Sequence, residues 1–170
     1  MKRSILFFLL MTTFGFAAQP LSPGDLAPKI TAPNQDGALV SFPEVYAQGL
    51  TLVYFYPKAD TPGCTAEACS LRDSYQELRD RHGKAIQILG VSKDTPQAQK
   101  DFQQKHHLPF TLIADTDGHV AKAFGVTIIP IVGLTSRQSF LIKDGKIVWS
   151  SLKAATSGAA AEVQKALQEL

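Results

Sequence analysis

The chain has 170 residues, 45% of them apolar, which suits one domain with a substantial core plus an N-terminal extension. Its 17 Lys and Arg against 15 Asp and Glu form no basic block, so nothing points to a nucleic-acid partner. The two cysteines are spaced C-x4-C and the four histidines are scattered, which argues against a zinc framework and leaves no call for a metal.

Lys2 and Arg3 precede an apolar run from Ile5 to Phe16, and small residues follow at Gly15, Ala17 and Ala18. That order is the pattern of a secretory signal peptide, cut after Ala17 or Ala18. The run is too short for an ordinary transmembrane span; an uncleaved anchor or an apolar arm is the alternative. Loss of Lys2 and Arg3 leaves 15 basic residues (17 − 2) against 15 acidic ones, a nearly neutral chain. The expected organisation is signal peptide 1–18, linker 19–29 and domain 30–170, exported to the periplasm with no stable membrane association after cleavage. In that oxidising compartment two cysteines ordinarily form a structural disulfide.

Along the chain, Pro20–Lys29 is rich in Pro, Ser and Gly. Ile30–Ala32 and Ala38–Phe42 flank Asn34-Gln35-Asp36-Gly37, a hairpin signal. Glu44–Gly49 is a short connection with room for one helical turn. Leu50–Tyr56 is apolar and β-rich, as a buried strand should be. A helix then runs from Cys64 to His82, with Ala68, Leu71, Tyr75 and Leu78 on one face and Gly83 as its stop. Ala85–Val91 is a second buried strand. Ser92–Pro96 opens a helix that reaches His106 with Ala98 and Phe102 inward. Thr111–Ala114 is a third strand, Asp115–Gly118 a turn, and Val120–Phe124 a short helix closed by Gly125. Ile128–Ser136 is apolar and irregular. Ser139–Lys143 and Lys146–Ser150 flank Asp144-Gly145, the clearest hairpin signal. Thr156–Leu170 is a terminal helix, capped by Thr156 or Ser157, with Ala160, Val163, Leu167 and Leu170 inward. Strands alternating with helices predict a parallel core to the sheet with an antiparallel edge: a single three-layer α/β domain, compatible with a thioredoxin-like fold.

The stretch PKADTPGCTAEACSLRD, Pro57 to Asp73, carries the chemistry. It places Cys64 in the first turn of a helix, where unpaired N–H groups and the positive end of the dipole favour a thiolate, the nucleophilic form. Pro62 and Gly63 suit a tight entry to the helix. The Thr61 hydroxyl either caps the helix or faces whatever the sulfur attacks. Glu67 complements the dipole. Cys69 is five residues on, so in an intact helix its Cα lies about 8–9 Å from that of Cys64. A disulfide allows about 6.8 Å at most. A bond between them requires the first turns to unwind.

PKADTPGCTAEAC matches the peroxiredoxin signature of Pro, three residues, Thr or Ser, two residues and Cys. The CTAEAC continuation, LPFTLIADTDGHVAKAFGV and SRQSFLIKDGKIVW resemble the peroxiredoxin Q branch, also called bacterioferritin comigratory protein. The resemblance runs from about Leu21 to Leu170, with Leu71 in place of the usual Phe. It implies a thioredoxin-like fold with an N-terminal β-hairpin, and a peroxidase that reduces hydrogen peroxide and organic hydroperoxides without metal or organic cofactor. It implies that Cys64 is the nucleophile, that Thr61 and Arg137 stabilise the reacting peroxide, and that Pro57, Pro62 and Gly63 shape the pocket. It also implies Cys69 as the resolving thiol, a Cys64–Cys69 disulfide recycled by thioredoxin or an exported thioredoxin-like reductant, and a monomer. Two other readings stand beside it. A thiol–disulfide oxidoreductase would want C-x-x-C at the helix start, which this chain lacks; a non-catalytic binding domain would leave peroxide untouched.

Overall fold

A computed structural model describes residues 19–80 and 83–170. The signal-peptide segment lies outside the described residues, as do Arg81 and His82. Among the described residues no helix is long and apolar enough to cross a membrane.

The order is β1 (Thr31–Pro33), β2 (Leu39–Ser41), α1 (Phe42–Tyr46), β3 (Thr51–Phe55), α2 (Pro62–Asp73), β4 (Gln87–Ser92), α3 (Pro96–Lys105), β5 (Thr111–Ala114), α4 (His119–Ala123), β6 (Gln138–Lys143), β7 (Lys146–Ser151) and α5 (Ala159–Glu169). The five-stranded sheet runs β5-β4-β3-β6-β7, and β1 and β2 pair separately as the expected N-terminal hairpin. β4 lies parallel to β3 and β5, while β6 is antiparallel to β3 and β7. This is the thioredoxin-like mixed sheet. The β6–β7 turn uses Asp144 (φ 52°) and Gly145 (φ 73°), the two successive positive values that suit an Asp-Gly hairpin.

Alternation along β3 divides the core. Leu52 and Tyr54 face α2, α3 and α5 with Ile88, Leu112 and Leu141. Val53 and Phe55 face α1 and α4 with Val91, Ile113 and Phe140. Every residue of β3 is buried, which explains its unbroken apolar run. Residues 19–29 run along the domain: Gly24 and Ala27 donate backbone hydrogen bonds to Ile147 and Gly145, and Leu21 to Phe124.

α2 ends at Asp73, not at His82. Leu78 still enters the core, but through a turn in which its N–H bonds to Ser74 O. Asp80 and Lys84 then close a tight reversal, with Gly83 at φ 74° as a turn residue rather than a helix stop. In α3 the buried positions are Gln99 and Phe102, so a polar residue takes the inward place expected of Ala98. Thr95 caps α3 by accepting from Ala98 N. α5 begins at Ala159, and neither Thr156 nor Ser157 caps it: its N-cap is Gly158, with no side-chain bond.

Candidate active site

β3 delivers the chain to the carboxyl end of the sheet, where Tyr56 and Pro57 lead into a loop and then α2. Thr61 stands at the N-cap with extended backbone and Pro62 in the first turn. Of the two roles open to Thr61, the side-chain cap is not made: Thr61 Oγ1 donates to Lys58 O at 3.0 Å. Its carbonyl accepts from Thr65 N at 2.8 Å, which starts the helix. Pro57 is half-buried and Pro62 exposed beside the entry. A methyl group on Gly63 would touch Arg137 Nη2 at 3.5 Å and Thr156 Cγ2 at 3.6 Å without clash, so space alone does not demand glycine there.

Cys64 is 1% exposed. Antiparallel pairing sets Gln138 of β6 opposite Phe55 of β3, and this brings Arg137 to the strand end that feeds the Cys64 loop. Arg137 Nη2 donates to Cys64 Sγ at 3.3 Å. The sequence separation is 73 residues. Thr135 Oγ1 donates to Tyr56 O at 2.7 Å and fixes the strand's exit. Cys69 is half-buried on another side of the intact helix, and both cysteines are free thiols.

Glu67 is the residue that sequence reasoning misplaced. It does not complement the dipole from the first turn, which holds no acidic residue; it lies further along α2, fully buried, and Arg137 Nη1 donates to its Oε2. One guanidinium therefore holds both the sulfur and a carboxyl. Burial pushes Glu67 up to about 8, against the pull of Arg137. Burial also works against the Arg137 cation, but Glu67 and Cys64 outweigh it and hold the guanidinium above its ordinary value. The signal was present: Cys64, Glu67, Ala68 and Leu71 share the i, i+3, i+4, i+7 stripe, where a lone carboxylate is out of place.

The loop 57–61 has its own anchors. Ala59 N donates to Asp94 Oδ2 at 2.8 Å, and that oxygen also accepts from Ser92 Oγ at 2.6 Å. Asp60 sits at φ 57° and binds Lys105 Nζ at 2.6 Å and His106 Nε2 at 2.8 Å. His106 and then Lys105 hold the Asp60 carboxyl below the usual carboxylate range.

Away from the sulfur, ligand atoms of Asp115, Asp117 and His119 lie within 4.8 Å of one another. Each already has partners in the protein. Asp115 accepts from Val120 N and Ala121 N; His119 bonds Asp117 and Thr31 O. The cluster starts α4 and ties it to β1.

A thioredoxin-like sheet that presents a buried thiol at a helix start, under an arginine, is the architecture of a thiol peroxidase. Residues 23–150 match the model of the AhpC/TSA family. The chain is 46% identical over 134 residues to Peroxiredoxin Bcp of Escherichia coli K12, covering 75% of this chain and 83% of that protein. It is 36% identical to Peroxiredoxin Q, chloroplastic, of japonica rice, over 75% of this chain and 57% of the rice protein. Among solved structures, Peroxidoxin BcpB of Mycobacterium tuberculosis superposes with a TM-score of 0.80 at 28% identity, covering 88% of this chain and 98% of that one. Xanthomonas campestris Peroxiredoxin Q gives 0.74 at 26%, over 90% and 98%. The chain belongs to the AhpC/TSA family and, within it, to the peroxiredoxin Bcp/Q group; it is a thiol peroxidase.

Proposed function

We propose that Cys64 is the peroxidatic residue. Its thiolate attacks the terminal oxygen of a hydroperoxide: the S–O bond forms, the O–O bond breaks, and water or an alcohol leaves with a proton. Arg137, the Cys64 backbone N–H and the Thr61 hydroxyl, once turned from Lys58 O, stabilise charge developing on the two peroxide oxygens. Pro57 and Pro62 wall the approach. The observation that carries this reading is the Arg137 donation to Cys64 Sγ.

Cys69 then attacks the Cys64 sulfenic acid. An S–S bond forms, the S–O bond breaks and water leaves. An external dithiol, thioredoxin or a thioredoxin-like protein, reduces the disulfide. The site needs no metal or organic cofactor for these steps. Residues 1–18 act as a cleaved signal peptide, 19–29 lead into domain 30–170, and the mature chain works as an exported monomer with an exported reductant.

Stopped-flow oxidation of the reduced mature protein by hydrogen peroxide and by an organic hydroperoxide, followed by mass spectrometry, tests the chemistry. The expected product is a chain two hydrogens lighter with residues 64 and 69 joined. An oxidised chain that stays a sulfenic or sulfinic acid would remove Cys69 from the cycle. N-terminal sequencing of the periplasmic protein tests the cleavage, and light scattering of the purified chain tests the monomer.

A further inference from the structure

The two halves of α2 are held in different ways. The second half is fastened to its neighbours: Ala68 and Leu71 fill the core, Ala160 N donates to Ser70 Oγ at 3.1 Å, and Arg72 Nη1 donates to His106 O at 2.7 Å. The first half relies on the buried Cys64 and Glu67, both bound to Arg137. Glu67 makes an uneasy anchor. Its Oε1 is buried with no hydrogen-bond partner, an arrangement that folding normally avoids. The charged and titratable groups around it come from four places: Arg137 ahead of β6, Cys64 on α2, Tyr54 on β3 and Glu162 on α5.

We propose that Glu67 is the latch of the Cys64 turn: its carboxyl, clamped by Arg137, keeps residues 62–67 helical, and its release to solvent accompanies the unwinding that brings Cys64 to Cys69. The inference rests on Cys69 as the resolving thiol. Residues 65–68 are the ones between the two sulfurs, so Glu67 belongs to any stretch that rearranges to join them. The fastened second half keeps Cys69 in place while the first half moves. Glu67 is thus a positioning residue, acting through Arg137 and the helix rather than on peroxide.

The latch is sensitive to pH. In the closed turn burial holds the Glu67 carboxyl at about 8, and in water it returns to about 4.5. The closed form binds the proton more tightly. Its advantage is therefore complete below the free value and is lost as pH rises towards about 8. Opening becomes easier with pH across that window, by at most about tenfold per unit.

The test removes the thiols so that no reading depends on the cysteines, and the Glu67→Gln variant separates the Glu67 contribution from other titrating groups. In Cys64→Ser/Cys69→Ser protein, amide hydrogen exchange at Thr65, Ala66 and Ala68 is measured from about pH 5 to about pH 8 and divided by the intrinsic rate. Protection should fall severalfold per pH unit and become level when Glu67→Gln is added. Level protection with Glu67 present overturns the proposal, as does an unchanged slope in the Gln variant. If that variant does not fold, carbon-13 titration of the Glu67 carboxyl in the double-serine protein decides: a midpoint near 4.5 sinks the latch, and one near 8 supports it. Because these readings need no cysteine, failure of the latch is distinguishable from failure of the Cys64–Cys69 bridge, which mass spectrometry reads separately.

Discussion

The loop 57–61 and the helical turns 62–67 sit side by side around one sulfur, yet they are built on opposite plans. The loop is held from several sides: Asp94 takes Ala59 N–H, Lys105 and His106 take Asp60, and Thr135 takes Tyr56 O. These partners come from the end of β4, the end of α3 and the approach to β6. Among the described residues, the side-chain clamp on the turns is a single guanidinium, that of Arg137. The difference separates two demands on the site. Peroxide needs fixed walls, because a near-attack geometry tolerates little misplacement. In the proposed cycle, resolution by Cys69 then needs the sulfur to leave that geometry. Rigidity in the loop and, under the proposed latch, reversibility in the helix start would satisfy both with adjacent segments.

The largest way to break this comparison is to remove the sulfur. Cys64→Ser should abolish peroxide consumption in a steady-state assay. Cys69→Ser should leave one stoichiometric turnover and stop thioredoxin-linked cycling, with Cys64 accumulating as sulfenic and then sulfinic acid under excess peroxide; mass spectrometry reads both. Arg137→Ala should lower the second-order rate of Cys64 oxidation by about 10²–10³ in stopped flow, the usual cost of deleting one transition-state donor. The same substitution strands Glu67 without its cation, so protection at Thr65 and Ala66 should fall as well. An Arg137→Ala protein with slow chemistry but an unaltered helix start would separate the two duties assigned to this side chain.

What could be seen from residues alone follows the range of the forces involved. The buried strands announce themselves as apolar runs, and both hairpins through Asp-Gly, because these are local signals. The end of α2 was hidden because Tyr75 and Leu78 keep helical spacing after the backbone has turned at Ser74, and both still pack against the core. Arg137 is 73 residues from Cys64, Asp94 is 35 from Ala59 and His106 is 46 from Asp60. No spacing rule links such pairs. Arg137 was reachable only through resemblance to a family, and the Asp60 and Asp94 anchors were not reached at all. Glu67 was legible in principle, as a carboxylate inside the apolar stripe of its own helix.

Loosening the loop should cost stability more than chemistry. Asp94→Ala leaves the Ala59 N–H without its acceptor and takes one partner from the buried Ser92 hydroxyl, which still accepts from Gln99 Nε2. Losses of this kind run to about 1–3 kcal/mol. The melting temperature should drop by several degrees, while the oxidation rate falls less than in Arg137→Ala, since the arginine still meets the sulfur.

The smallest effect belongs to Lys105→Ala, and it sharpens the comparison by showing which anchors matter. The Lys105 and Asp60 side chains are 61% and 44% exposed, so water and salt screen their attraction. Asp60 would keep His106 Nε2 on its other oxygen, and its left-handed backbone suits aspartate better than most residues. The melting temperature should shift by no more than about 2 °C, and the shift should vanish in molar salt. A loss as large as that of Asp94→Ala would mean that the loop is held mainly by its exposed rim. Asp94 would then give up its place as the chief anchor, and the rigid wall opposite the sulfur would become salt-sensitive.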